Sequence, residues 1–310
     1  MNSSVAKLIL AILLQCVSTL IYADVIEVTL LGTGGPPPNI ERFGPSTVIE
    51  TQGLYFVFDA GRGVTIRLQQ AGIPLSEIEQ VFLTHLHSDH ISGLADLWLT
   101  SWIWQRQNKM NVFGPLGTVN FINHIEQAYT EDINLRISNS NLNKDLSHLL
   151  VMESELDDRV IYDKNDIKIT AFHVEHGVVK QAYGYKFESG NRKIILSGDT
   201  AYSENLIKHA QDADILIHEV AAADTLLLER NKRLQKIISY HSNPESLAQV
   251  LVKVRPKFTF LNHILLFGVS EQEVLYKLNN KFDGEIYFGK DLLKISIGKS
   301  IVITPPHQVR

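Results

Sequence analysis

Cysteine is almost absent: Cys16 is the only one in 310 residues. A single thiol excludes an internal disulfide framework and any Cys-rich zinc site. Positive charge is not in excess either, with 29 Lys and Arg against 34 Asp and Glu, a formal balance of −5. That argues against a dedicated nucleic-acid binder, whose footprint is basic. Low-complexity tracts and a clear linker are missing. Charged residues make up 20% and hydrophobic residues 45%, which excludes wholesale disorder and permits a sizeable core. What the chain has in quantity is histidine, twelve residues. A metal bound here would be held by imidazole and carboxylate.

The N-terminal apolar run is too short for a stable membrane span. Residues 8–14 follow Lys7 and continue, interrupted by polar side chains, to Tyr22, where Ala23 meets Asp24. A positive flank, a short apolar region and a small residue before a polar start read as a secretory signal. The expected organisation is a signal peptide over 1–23 and one folded domain over 24–310, periplasmic or secreted, with no stable membrane association. Gln15 stands where lipid attachment at Cys16 would need a small residue. Cleavage after Ala23 removes Lys7, no acid and the one cysteine.

Strand-like runs lie at 25–31, 47–50, 55–58 and 81–84, then at 167–172, 182–187, 193–196, 215–217 and 258–261. Helical spacing is seen at 63–71, 91–104, 203–209 and 244–254, the last with Asn243 as cap and Pro244 in the first turn. Meandering strand groups suit layered mixed sheets better than a doubly wound parallel sheet. Gly32-Thr33-Gly34-Gly35-Pro36-Pro37-Pro38 is no dinucleotide loop, because its prolines offer no N–H to a phosphate.

The chemistry sits in Thr84-His85-Leu86-His87-Ser88-Asp89-His90. At a strand end His85 and His87 point the same way. The chain then turns, so Asp89 and His90 face a second point nearby. Burying such a cluster without a metal would leave polar groups unpaired.

This His-x-His-x-Asp-His pattern, with isolated His, Asp and His positions downstream, resembles the metallo-β-lactamase superfamily of metal-dependent hydrolases over essentially all of 24–310. Leu31-Gly32-Thr33-Gly34, Phe58-Asp59-Ala60-Gly61, Ser197-Gly198-Asp199-Thr200 and His218-Glu219 are similar to its ribonuclease Z and arylsulfatase-like branch. The stretch 94–100 is most similar to secreted arylsulfatase-like members. The resemblance implies an α+β fold, a four-layer αββα sandwich in which two mixed β-sheets are flanked by helices and metals lie where the sheets meet. It implies two Zn²⁺ per chain, with Mn²⁺ or Fe as alternatives, and a homodimer. The first metal would be held by His85, His87 and a third histidine, His176 or its rival His173; His176 is preferred because it lies in a loop. The second would be held by Asp89, His90 and His263. Asp199 would bridge both, since each carboxylate oxygen can serve one cation. Water activated between the cations would be the nucleophile. Asp89 belongs to that catalytic group, and Glu219 with His241 would carry a proton to the leaving oxygen. Asp59, and also His218, would orient ligand imidazoles.

Sulfate monoesters and phosphate diesters are both tetrahedral monoanions, so metal ligands do not choose between them. The short stretch from His176 to Asp199 leaves no room for the arm with which ribonuclease Z grips tRNA. Together with export and the acidic balance, this leads to an expected arylsulfatase-like hydrolase of small-molecule sulfate or phosphate esters, with nucleic acid disfavoured as a partner. The alternatives are a ribonuclease Z-type 3′-tRNA endoribonuclease and a metal-binding protein without hydrolytic activity. Trp98 and Trp102, one helical turn apart, either pack the core or line an aryl pocket with Trp104 and Phe267. His124, His148, His209 and His307 are expected at the surface.

Overall fold

Alternation along single strands sets the layers. In Leu54–Phe58, Phe56 and Phe58 are buried on one face and Val57 on the other, as expected for a strand covered on both sides. The computed structural model describes residues 25–153 and 158–306. The expected signal segment 1–23 and His307 lie outside the described residues.

The first part of the chain forms β1 (Ile26–Gly32), β2 (Ser46–Thr51), β3 (Leu54–Phe58), α1 (Val64–Gln70), β4 (Ile78–Phe82), α2 (Ser88–Ile91), α3 (Leu94–Ile103), β5 (Asn111–Gly114), α4 (Thr118–Ala128), α5 (Thr130–Asn139) and β6 (Leu150–Glu153). The second part forms β7 (Arg159–Lys164), β8 (Ile167–His173), β9 (Tyr183–Ser189), β10 (Arg192–Leu196), α6 (Glu204–Ala210), β11 (Ile215–Ala223), α7 (Thr225–Arg230), α8 (Lys232–Ser239), α9 (Pro244–Val254), β12 (Phe258–Phe267), α10 (Glu271–Asn279) and β13 (Glu285–Phe288). The last strands, β14 (Leu293–Ile297) and β15 (Ile301–Thr304), return to the first sheet.

Two sheets result, ordered β15-β14-β1-β2-β3-β4-β5-β6 and β13-β12-β11-β10-β9-β8-β7. Each is mixed: β3 to β6 run parallel in one and β10 to β13 in the other, and the remaining pairs are antiparallel. Between them lies an aromatic core in which Phe56, Phe58 and Phe82 meet Tyr185, Phe187 and Phe260. Helices α1, α3 and α4 cover the outer face of the first sheet, and α6, α9 and α10 that of the second. The α+β, four-layer αββα arrangement is therefore the observed one.

Several elements differ from expectation for identifiable reasons. The helix expected over 91–104 is broken, with α2 ending before Gly93 and α3 beginning after it. The backbone of Gly93 donates to Ala60 O at 2.8 Å, and a Cβ there would lie 2.3 Å from Gly61 O. Only glycine allows that approach, and the break turns Asp89 and His90 inward. Strands β11 and β12 extend past their expected ends because pairing continues through the polar residues 218–219 and 262–263. The aryl-pocket reading of the tryptophans is corrected. Trp98 and Trp102 are 0% and 1% exposed in the helix layer over the first sheet, their Nε1 groups donating to Ser147 O and Asn143 O at 2.9 and 3.0 Å, while Trp104 is exposed. His209 is also not a free surface residue, since it stacks on Phe172 and pairs with Asp158 at 2.9 Å.

Among the described residues no helix is long and apolar enough to cross a membrane.

Candidate metal centre

Four connections bring the site together. After β4, residues 83–90 carry His85, His87, Asp89 and His90 across the end of the first sheet. The loop after β8 supplies His176, the turn after β10 supplies Asp199, and β12 supplies His263. Gly177 and Gly198 both take positive φ, 60° each, beside the two residues they help to place.

His263 sits on a bulge. Glu219 pairs with Asn262 and Val220 with Ile264, so His263 is the extra residue in the ladder, with φ 40°. Bulges redirect a side chain in this way and cluster near functional sites. The strained backbone of His263 costs about 1–2 kcal/mol.

The side chains gather in two groups, linked by a third of Asp199, His241 and His263. His85, His87, His176 and Asp199 offer donor atoms within 4.8 Å of one another, as do Asp89, His90 and His263. His85 Nε2 and His87 Nδ1 are 2.9 Å apart, and His176 Nε2 is 3.4 Å from His87 Nδ1. Asp89 Oδ2 lies 3.3 Å from His263 Nε2 and 3.6 Å from His90 Nε2. Asp199 Oδ2 stands at the junction, 3.3 Å from His263 Nε2, 3.4 Å from His90 Nε2, 3.8 Å from His85 Nε2 and 3.9 Å from His176 Nε2. His173 is not brought in; its Nε2 bonds Lys180 O at 3.0 Å on the outer side of the loop.

The far nitrogens of the rings are tied to the protein. His90 Nδ1 bonds Asp59 Oδ2 at 2.8 Å, His176 Nδ1 bonds Tyr240 O at 3.0 Å, and His85 Nδ1 is 3.0 Å from Thr84 Oγ1. Asp59, itself at φ 59°, also accepts from Thr84 N at 2.8 Å. Such bonds fix ring orientation and leave the inner nitrogen as the lone-pair donor. His218 is placed differently: its Nδ1 bonds Glu219 O at 2.8 Å, and its Nε2 has no hydrogen-bond partner among the described residues. Burial lowers its pKa to about 4.

Charge is consistent with cation binding. Burial drives His85 well down, His87 down and His176 to about 4, so these rings are neutral at pH 7. Burial alone would raise Asp89 and Asp199, but the surrounding histidines hold both below the usual carboxylate range. Buried His90 Nε2 and Asp199 Oδ1 have no hydrogen-bond partner. Burial opposes charge on His90, but Asp199 and Asp59 hold it well above its ordinary value. The neutral nitrogens of His85, His87 and His176, the ionised carboxylates and the unpaired buried inner atoms fit a metal cofactor.

Beside this cluster Glu219 Oε1 accepts from His241 Nδ1 at 2.8 Å and from Thr200 N at 2.7 Å. Burial opposes the charge on His241, yet Glu219 lifts its pKa to about 9. A cleft of about 690 Å³ opens over Asp89, Asp199, His241 and His263, with Phe267 on its wall.

Sequence reasoning did not single out Asp291, Gly35 or Tyr240. Asp291 accepts from Thr33 N at 2.9 Å and Phe43 N at 2.7 Å and pairs with Arg67 at 3.0 Å, fixing the 33–43 loop at the cleft edge. Gly35 lets that loop lie on His263, since a Cβ would be 3.3 Å from its Nε2. Neither has a local pattern; only adjacency to His241 marks Tyr240.

The family described as anti-Pycsar protein Apyc1 matches residues 26–247. Ribonuclease Z of Mycobacterium sp. (strain KMS) is 31% identical over 285 residues, covering 90% of this chain and 99% of that protein. Among solved structures, the metallo-β-lactamase fold protein YhfI from Bacillus subtilis aligns with TM-score 0.70 at 17% identity, over 88% of this chain and all of that one. Human tRNase Z, short form, aligns with TM-score 0.66 at 24% identity, over 88% of this chain and 99% of that one.

These relatives correct the expectation on partners. A small sulfate or phosphate ester with nucleic acid disfavoured does not stand against full-length likeness to proteins named ribonuclease Z. The missing-arm argument fails because this chain covers 99% of such a relative. Net charge failed because it averages over the surface and says nothing of the potential at one cleft. The likeness also favours the ribonuclease Z alternative over the arylsulfatase-like reading.

Proposed function

Because the chain belongs to the family of metallo-β-lactamase-fold hydrolases that includes ribonuclease Z and Apyc1, and is thus a metal-dependent hydrolase, we propose that it is a phosphodiesterase of the ribonuclease Z type acting on RNA. The observation that carries this reading is the gathering of seven imidazole and carboxylate side chains, with four of the histidines on Asp199 and the Glu219–His241 pair beside it.

His85, His87 and His176 would hold one divalent cation, Asp89, His90 and His263 a second, with Asp199 shared; Zn²⁺ is the metal that best suits this donor set. Bound there, the ions neutralise phosphoryl charge and acidify water. The chain's own part is orientation and proton transfer. Asp59, Tyr240 O and Thr84 keep three rings turned inward. His241, protonated at neutral pH, donates Nδ1–H to Glu219, which leaves Nε2–H to protonate the departing oxygen.

The test compares three substrates. Purified metal-loaded protein should hydrolyse bis(4-nitrophenyl) phosphate and a pre-tRNA, and both rates should vanish in EDTA. No turnover of either, or much faster cleavage of 4-nitrophenyl sulfate, would overturn the reading. A His241→Ala variant should slow RNA cleavage by about 10²–10⁴. Its loss on bis(4-nitrophenyl) phosphate should be much smaller, because nitrophenolate leaves without a proton. Equal losses on both substrates would remove the proton-donor role.

A further inference from the structure

The cleft over the site has a second lobe. A space of about 310 Å³ lies on the His176 side, and both lobes are bordered by His87, Arg233, Ile237 and Tyr240. The two spaces therefore share a wall at α8, one on each side of the cluster. The larger lobe is walled by Leu227, Leu265 and Phe267, whereas Lys236 borders only the smaller one.

Helix α8 carries Lys232, Arg233 and Lys236, and none of these three side chains has a hydrogen-bond or ion-pair partner among the described residues. The helix is held in place by Leu234, which is buried, and by Asn231, whose side chain accepts from Leu234 N at 3.0 Å. Arg233 also lies close enough to Tyr240 for its charge to act on the phenol. Tyr240 in turn packs edge-on against His176 at 5.2 Å. Unpaired cations beside an aromatic ring, at the shared wall of two open spaces, suit a single nucleic-acid strand.

We infer that Arg233 and Lys236 of α8 grip backbone phosphates of a single-stranded RNA that runs through both lobes beneath this helix. The inference rests on the RNA-phosphodiesterase reading and adds the strand's path. With a space on each side of the cluster, nucleotides on both sides of an internal phosphodiester have room. Contacts to phosphate carry no base information, so the grip should be indifferent to sequence.

The experiment measures binding of a fluorescein-labelled 12-nucleotide RNA by stopped-flow anisotropy, read before turnover, with the metal-loaded protein at several salt concentrations. Arg233→Ala should raise Kd about tenfold, equally for oligo-U and oligo-A, and should reduce the salt slope by about 0.7. Arg233→Lys should stay within about threefold of the unsubstituted protein, because charge is what acts. Lack of RNA binding by the unsubstituted protein, an unchanged salt slope in Arg233→Ala, or an Arg233→Lys loss as large as that of alanine would each overturn the proposal. Hydrolysis of bis(4-nitrophenyl) phosphate run in parallel separates this failure from failure of the activity itself.

Discussion

Asp59 illustrates how one residue can matter without touching the reacting atoms. It spends a left-handed backbone conformation to place a carboxylate under His90 and against Thr84 N. Asp59→Asn keeps the shape but removes the anion that favours the Nδ1–H tautomer. Metal affinity should fall about 10–100-fold in chelator competition; unchanged affinity would deny the orienting role. Residues 85–90 were legible in the sequence because their geometry is local: a strand end and one turn bring four side chains together. His176 against His173 was not settled by spacing, since both lie where a strand becomes a loop. What separates them is the 174–183 loop, which sends one ring inward and leaves the other on Lys180 O. Arg233 had no signal among so many other cations.

Elements carry the site through their pairing. Strands β10, β11 and β12 start together at Asp214, which accepts from Lys193 N at 2.9 Å and pairs with Lys257 at 2.7 Å and Arg192 at 3.2 Å. Burial alone would raise this carboxyl, but Lys257 and the other donors hold it below its ordinary value. A lowered folded-state pKa contributes stability above the unfolded value, near 4, and that contribution is lost as pH falls. Asp214→Asn should therefore cost about 1 kcal/mol at pH 7, with the gap to the unsubstituted protein closing toward pH 3 in urea unfolding. A gap independent of pH would show that charge is not involved. Apolar runs marked most of these central strands, and α9 begins at its expected cap, Asn243 accepting from Ser246 N at 2.9 Å. The edge strands β6, β7, β13 and β15 escaped notice because half-exposed strands lack a continuous apolar run. The bulge at His263 was invisible for another reason: it is a property of two strands together.

For the whole molecule, the donor set joins both sheets, from His85 after β4 to His263 in β12. A cation bound only by the folded state stabilises it by mass action, by about 4 kcal/mol at a thousandfold excess over Kd. EDTA should accordingly lower Tm by several degrees and zinc should restore it; an unaltered Tm would mean that the cluster does not hold metal across the two halves. Layered mixed sheets were legible from the meandering strand groups, and the four-layer order from the resemblance carried by the histidine motif. The substrate class was misread because it depends on local potential and cleft shape, which only the folded surface defines.

The pairing of β14 with β1, from Ile26 opposite Ile297 to Leu30 opposite Leu293, has a consequence for how the chain is made. Strand β1 leaves the ribosome long before β14, and its edge on that side stays uncovered until β14 follows. Contacts of such long sequence separation form slowly, and an uncovered edge invites association with other chains. The first sheet is therefore completed only after every strand of the second has been made.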